Sequence, residues 1–441
     1  MRSVLTPLLR FILRIFFRRV DVAGVERVPL SGPVLFVINH PNGLIDPLFV
    51  LCFAPREVSF LGKAPLLKMP VIGWLARGMD TIPVYRRQDG DGDTTQNRDT
   101  FQKARDLLER GGTIAIAPEG VSHSDPRLKP LKTGAARIAL GAATRSPIKI
   151  VPAGLYYSAK GRFRSEASVY FGDPIEAPLV SPDEGGEPPA AEVTALTSRI
   201  DEALDRVTLQ ADEHAAISLV SRAEALFSSG SADRTRPGAE TQFTRRQRIL
   251  AGYNRLRDTN PTRLALLQEE VESLSQVLHD LGVNPRDLSL SGYGAGAVIL
   301  SSLYFLLEAV TLFPLALGGW VIHYPAYRLI GVLARTFTRQ HDDVVSTAKV
   351  LGAMLLFPIS WIAAAVIVGR LIGFLPGLMT FLIAPLLGYG ALAFTERWSR
   401  FRQAARAFGL FLLGRRRYLR LVAARDDLRD QFQALASELG V

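Results

Sequence analysis

Apolar and arginine positions alternate at helical spacing at the start of the chain. Leu8, Leu9, Phe11, Ile12, Ile15 and Phe16 fill a wide arc, while Arg10, Arg14 and Arg18 recur on one face. The pattern predicts an amphipathic helix over residues 1–20, lying on an anionic membrane leaflet. Arginines interrupt its apolar run, so a signal peptide is not expected. From about 30 to 175, short apolar runs alternate with helical stretches. Strands are predicted at Val34–Ile38, Val58–Leu61, Thr81–Val84, Thr113–Ala117, Ile148–Leu155 and Ser168–Phe171. Helices are predicted near Pro47–Phe53, Leu66–Arg77, Asn97–Arg110 and Gly134–Ala143. That alternation predicts an α/β domain over residues 21–180.

Residues 181–290 read as a linker and helical region. Pro, Gly and Glu crowd 176–192, and helix is predicted over 193–227. The segment SSGSADRTRPGAE at 228–240 predicts a flexible stretch, and helix resumes over 242–283. Apolar residues at near-heptad spacing in Leu264–Leu281 point to a packed helix pair.

The next region is much more apolar. Only eight charged residues fall in 291–394, where the chain-wide 21% would place about 22. Its apolar stretches are Ser291–Leu307, Ala309–Tyr327, Val350–Gly369 and Leu371–Phe394. The last two carry no charge and are long enough to span a bilayer with tilt. The first two read either as one helix of about 25 residues or as two shorter segments broken near Pro314. Basic residues precede the first stretch, fill the link from Arg328 to Lys349, and follow the last from Arg397 to Arg417. By the positive-inside tendency all three belong on the cytoplasmic side. Two hairpins satisfy that condition. Residues 291–395 are therefore expected to be membrane-embedded hairpins, and 396–441 a basic C-terminal helical tail.

Composition narrows the function classes. The single cysteine, Cys52, excludes an internal disulfide and argues against a thiolate metal centre. A hydrophobic fraction of 48% excludes wholesale disorder. The net charge of +10 points to anionic partners. Its arginines sit at membrane flanks and not in an aromatic-interleaved stripe, and no nucleic-acid motif is present, so nucleic acid is not an expected partner.

The candidate chemistry lies where strands end. Val34–Ile38 runs into Asn39-His40, Val58–Leu61 into Gly62-Lys63, Thr81–Val84 into Tyr85-Arg86-Arg87, and Thr113–Ala117 into Pro118-Glu119-Gly120. Ligands of α/β sheets collect beyond the carboxyl ends of strands. A histidine, a carboxylate and cations there suggest base catalysis on a phosphorylated substrate. His40 is a general-base candidate, with Asp46 as the acid that orients its ring. No GxSxG elbow, P-loop, HExxH or dinucleotide fingerprint competes. His214, His279, His323 and His341 have no partner pattern.

Four segments occur in order: INHPNGLIDP, GKAPLLKMPVIGWLARGMDTIPVYRRQD, APEGVSHSDPRLKPLKTGAARIALG and IVPAGLYY. They resemble the four motif blocks of the glycerolipid acyltransferases, which acylate glycerol-3-phosphate and 1-acylglycerol-3-phosphate. The resemblance covers roughly residues 30 to 175. It departs in one place: five residues, not four, separate His40 from Asp46. On a regular helix this offset would set the side chains about 120° apart, so the pair can meet only across an irregular turn. Pro41 and Gly43 suit such a turn. The longer spacing, with PEG-x-SH and L-x-PLK-x-G in the third block, is similar to the fungal type acting on glycerol-3-phosphate and dihydroxyacetone phosphate.

The resemblance implies that His40 deprotonates the sn-1 hydroxyl and that Asp46 orients His40. It implies that Arg86 binds the substrate phosphate, with Arg87 or Lys63 assisting. It also implies that Glu119 and Gly120 bind the glycerol backbone, that Lys132 adds a phosphate contact with His123 as a further candidate, and that Pro152 shapes the acyl-donor side. Acyl-CoA or acyl carrier protein is the implied donor, and no metal or organic cofactor is implied. The expected protein is integral to the membrane with its catalytic domain facing the cytoplasm. Two alternatives stand beside the sn-1 reading: an sn-2 enzyme acting on lysophosphatidate, and a non-catalytic membrane scaffold.

Overall fold

The computed structural model describes residues 2–85, 96–144, 146–183, 186–227, 238–288, 295–338 and 342–439. The chain forms two units: Met1–His214 with Gln340–Thr347, and Ala215–Arg339 with Ala348–Val441.

In the first unit the order is α1 (Arg2–Phe16), β1 (Arg19–Ala23), β2 (Val34–Ile38), α2 (Ile45–Phe53), β3 (Ser59–Lys63), α3 (Ala64–Lys68), α4 (Pro70–Gly78) and β4 (Ile82–Val84). Then follow α5 (Gln96–Glu109), β5 (Thr113–Ile116), α6 (Gly134–Ala142), β6 (Ile148–Tyr157), β7 (Glu166–Phe171), β8 (Ile175–Ala177) and α7 (Ala190–Asp205). The strands make one sheet in the order β1-β7-β6-β2-β5-β3-β4, with β8 also paired to β6. β2 lies parallel to both β5 and β6, and β3 parallel to both β5 and β4. Their carboxyl ends therefore open on the same side. β7 and β8 run antiparallel to β6.

All five residues of β2 are fully buried, as expected of a continuous apolar run in the middle of a covered parallel sheet. Leu35 and Val37 pack with α5, α6 and α7, through Leu108, Ile138, Leu196 and Leu204. Phe36 meets Phe171 instead. Because α7 seals this core, the domain runs on to His214, past the boundary expected near 180. Close backbone approach also matters: a Cβ on Gly154 would lie 1.7 Å from the Val207 carbonyl oxygen, in the turn after α7.

The helix predicted over 66–77 is two helices. Pro70 lacks an N–H and holds Met69 extended, at φ −74° and ψ 139°. α1 buries Leu5, Leu9, Leu13 and Phe16 in the domain and leaves Val4, Leu8 and Phe11 exposed. Its Arg10 Nε donates to the Cys52 carbonyl at 2.9 Å, capping the end of α2. The apolar arc of this helix therefore serves two partners, the domain core on one stripe and the surroundings on another.

The second unit contains α8 (His214–Phe227), α9 (Ala239–Thr259), α10 (Pro261–Leu281), α11 (Ala295–Phe337), α12 (Val345–Ile372), α13 (Phe374–Leu413) and α14 (Arg415–Leu439). Most of the stretch expected to be flexible, 228–237, lies outside the described residues. The near-heptad residues Leu264, Leu267, Val271, Leu274 and Leu278 are buried, and α10 packs with α14 and α9.

Among the described residues, three stretches are long and apolar enough to cross a membrane: Leu303–Phe337, Asp342–Ile372 and Phe374–Leu413. Three apolar helices thus stand where four apolar stretches were read. Of the two readings of the first stretches, one helix or a break near Pro314, the structure takes the single helix: α11 runs unbroken through Pro314 and Pro325. In hydrocarbon an interrupted helix would leave backbone groups unpaired, so continuity is favoured over a kink that ends the segment. α11 lies against α13 closely enough that a Cβ on Gly319 would come within 2.1 Å of the Leu387 carbonyl oxygen. Phe305 stacks on Phe401 with ring centroids 3.9 Å apart.

The Gly154 contact gives a direct test of the core. Gly154→Ala should destabilise the first unit by at least about 1–3 kcal/mol, the usual cost of overpacking. Thermal unfolding of the full chain in detergent micelles measures it, and an unchanged melting temperature would show that β6 and the turn after α7 are not in contact.

Candidate active site

The site is built from three loops at the carboxyl ends of β2, β5 and β6. β2 ends in Asn39, whose amide clamps it to β6: Nδ2 donates to the Leu155 carbonyl at 3.0 Å, and Leu155 N–H donates to Oδ1 at 2.7 Å. The next residues leave the strand in a tight turn. Pro41 disfavours helix at His40. Gly43 then adopts φ +42°, in the region glycine tolerates best. α2 begins only at Ile45, so Asp46 stands in its first turn.

The turn brings the pair together across the longer spacing. His40 Nδ1 lies 2.9 Å from Asp46 Oδ2. The Asp46 carboxylate is fully buried, yet it has three donors. Asn42 N–H donates to Oδ2 at 2.6 Å, and the Tyr157 hydroxyl donates to Oδ1 at 2.6 Å. With Nδ1–H of His40 as the third, the cost of burying this anion is offset. The same bond assigns the proton of neutral His40 to Nδ1 and leaves Nε2 as the acceptor. Among the described residues no group bonds Nε2.

Tyr157, at the end of β6, is the site residue that sequence reasoning missed. Its phenol is held well above the usual tyrosine range by burial and then by the Asp46 charge, so it stays a donor. It also packs against Phe17 and Phe49. Asn42 was missed as well. Its side chain is buried, with neither amide atom paired among the described residues.

Glu119 holds the second loop. Its buried carboxylate accepts the His40 backbone N–H at 3.1 Å and the Lys129 N–H at 2.7 Å, and it pairs with the His123 imidazole. The His123 N–H in turn donates to the His40 carbonyl at 3.1 Å. Both backbone groups of His40 are therefore pinned by the loop after β5. The contact with a glycerol backbone expected of Glu119 meets a carboxylate whose oxygens are already engaged, and His123 faces Glu119. Gly120 adopts φ +72°, and a Cβ there would lie 2.7 Å from Lys132 Nζ. Lys132 thus lies over Gly120. Lys63 stands exposed at the end of β3. Neither ammonium has a hydrogen bond or ion pair among the described residues. Pro152 lies inside β6 opposite Val37, several residues back from the loops. Arg86 and Arg87 lie outside the described residues, as does His341. No cluster of potential metal ligands occurs among the described residues.

The match to known proteins follows this geometry. Residues 19–156 match the family model described as Acyltransferase. These residues form an acyltransferase domain. The chain is 26% identical to Glycerol-3-phosphate O-acyltransferase 1 of Saccharomyces cerevisiae, over 83% of this chain and 61% of that one. It is 29% identical to the chloroplastic 1-acyl-sn-glycerol-3-phosphate acyltransferase BAT2 of Brassica napus, over 33% of this chain and 39% of that one. The chain therefore spans only part of the length of these relatives. The crystal structure of the 1-acyl-sn-glycerophosphate (LPA) acyltransferase PlsC from Thermotoga maritima matches at 19% identity and a TM-score of 0.34, over 46% of this chain and 79% of that one.

Tyr157, at the end of β6, has a signature that pH reveals. Its folded pKa lies above its unfolded value of 10.0, so its stabilisation is complete below pH 10 and is lost as pH rises beyond that. Tyr157→Phe should cost about 1.5–3 kcal/mol near neutrality, the range for a bond to a charged group. The gap in melting temperature between wild type and Tyr157→Phe should narrow from pH 9 to pH 11. A gap constant with pH would mean that the phenol does not support the Asp46 carboxylate.

Proposed function

We propose that this chain is a membrane-embedded acyltransferase that moves a fatty acyl group from a thioester donor to the sn-1 hydroxyl of glycerol-3-phosphate, in phospholipid synthesis. The observation that carries the reading is the bond from His40 Nδ1 to the buried Asp46, which leaves Nε2 as a base. The likeness to the yeast glycerol-3-phosphate O-acyltransferase supports the choice of acceptor.

In this reading His40 Nε2 takes the proton of the acceptor hydroxyl as its oxygen attacks the thioester carbonyl carbon. Asp46 keeps the ring in the required tautomer and stabilises the imidazolium that forms. The tetrahedral intermediate then collapses and the carbon–sulfur bond breaks. The thiolate leaves, and the His40 proton converts it to the thiol. Glu119 positions His40 through its backbone N–H. Lys63 and Lys132, with Arg86 and Arg87, are the cations proposed to hold the phosphate, arginine in a two-pronged mode. No metal or organic cofactor takes part in these steps. Acyl-CoA or acyl carrier protein supplies the thioester. The basic clusters around the apolar helices favour a catalytic domain on the cytoplasmic side. The product is a lipid, and an enzyme embedded in the bilayer can release it there directly.

The likeness to the Brassica napus protein favours a second reading, an sn-2 enzyme with lysophosphatidate as acceptor. An acceptor panel separates the two. Full-length protein in mixed micelles receives labelled palmitoyl-CoA with glycerol-3-phosphate, dihydroxyacetone phosphate or lysophosphatidate, and acyl carrier protein thioester as the alternative donor. Product from glycerol-3-phosphate is expected, reduced about 10²- to 10⁴-fold by His40→Ala. Product from lysophosphatidate alone would move the assignment to sn-2. Silence with every acceptor and donor would favour a scaffold.

A further inference from the structure

The end of the link after α11 and the first turn of α12, through Thr347, belong to the catalytic unit, although they join two helices long and apolar enough to cross a membrane. Their described part, Asp342–Thr347, touches all three active-site loops. Leu44 N–H, in the His40–Asp46 turn, donates to the Thr347 hydroxyl oxygen at 3.2 Å. The Ser122 hydroxyl, in the loop that carries Glu119 and His123, donates to the Asp343 carboxylate. The Ser346 hydroxyl donates to the Lys160 carbonyl, in the loop after β6. Lys160 closes the ring of contacts, since its Nζ donates to the Pro41 carbonyl at 2.9 Å and to Ser124 Oγ at 2.6 Å.

The turn needs outside support. It includes a buried asparagine amide with no partner among the described residues, which raises its free energy. The helix that follows begins at Ile45, and its N-cap residue Leu44 offers no side-chain cap. The Leu44 N–H is one of the orphan donors of a helix start, and the Thr347 hydroxyl accepts its hydrogen. Contact is close as well: a Cβ on Gly43 would lie 3.0 Å from the Asp343 carbonyl oxygen.

We propose that residues 342–347, the end of the link after α11 and the first turn of α12, are a positioning strap for the His40–Asp46 turn, with Thr347 as the residue that fixes Leu44. The inference rests on the acyltransferase reading of that turn. It makes the C-terminal half of the chain a contributor to catalytic geometry as well as an anchor. Thr347 touches neither substrate nor His40 and acts through the turn.

The test compares wild type, Thr347→Val and Thr347→Ser as full-length protein in micelles, with two readouts. Steady-state kinetics with palmitoyl-CoA and glycerol-3-phosphate should show kcat for Thr347→Val down about five- to tenfold, the scale of one lost hydrogen bond, with KM nearly unchanged. Amide exchange in peptides covering 40–48 should accelerate by a similar factor, while peptides covering β2 should not change. Thr347→Ser, which keeps the hydroxyl, should restore both. Wild-type exchange and kcat in Thr347→Val would overturn the strap. Equal damage from both variants would also overturn it, because packing and not the hydroxyl would then be at work. If wild type transfers no acyl group, the functional reading fails while the exchange data still judge the strap.

Discussion

A single buried carboxylate organises the catalytic unit. Asp46 has no solvent exposure, and an isolated anion there would be very costly. It is tolerable only because donors arrive from its own turn, from His40 and from Tyr157, 111 residues away along the chain. Each of those donors is thereby fixed in place. The imidazole is oriented, the turn is closed, and the end of β6 is tied to the start of α2.

The sheet explains why such distant groups can meet. Parallel pairing of β2 with both β5 and β6 puts three carboxyl ends side by side, so three loops share one site. A second buried carboxylate, Glu119, links two of those loops by binding the His40 backbone. Asp46 thus sets the ring and Glu119 sets the main chain that carries it. The phenol–carboxylate–imidazole line extends the familiar acid–histidine pair by one partner. A tyrosine kept protonated by burial and by the adjacent charge serves that place well. The division of labour suits the proposed reaction, in which a neutral hydroxyl must lose its proton at the moment of attack and the base must already face it.

Local patterns were the most legible part of the chain. β2 was readable to the residue because an uninterrupted apolar run is what a central parallel strand requires. The five-residue spacing between His40 and Asp46 implied an irregular turn, and Gly43 at φ +42° provides it. The features that escaped depend on distance. β1, Arg19–Ala23, mixes charges with valines and exists as a strand only through its pairing with β7. Tyr157 sits at the end of an apolar run whose partner is remote in sequence. The strap looked like an ordinary polar link between apolar stretches. Pro314 suggested a break by its missing donor, but a helix surrounded by apolar partners accommodates that loss. Pro70, by contrast, does end a helix, and was legible as a breaker had its effect on Met69 been weighed.

The orientation of His40 by Asp46 is the claim on which the chemistry stands, and nitrogen NMR reads it directly. Full-length protein labelled with ¹⁵N-histidine in micelles has six histidines, and a His40→Gln sample assigns the one that matters. In its neutral form His40 should show a protonated Nδ1 and a bare Nε2, and Asp46→Asn should disturb that balance. A neutral His40 with its proton on Nε2 would contradict the pairing and remove the proposed base.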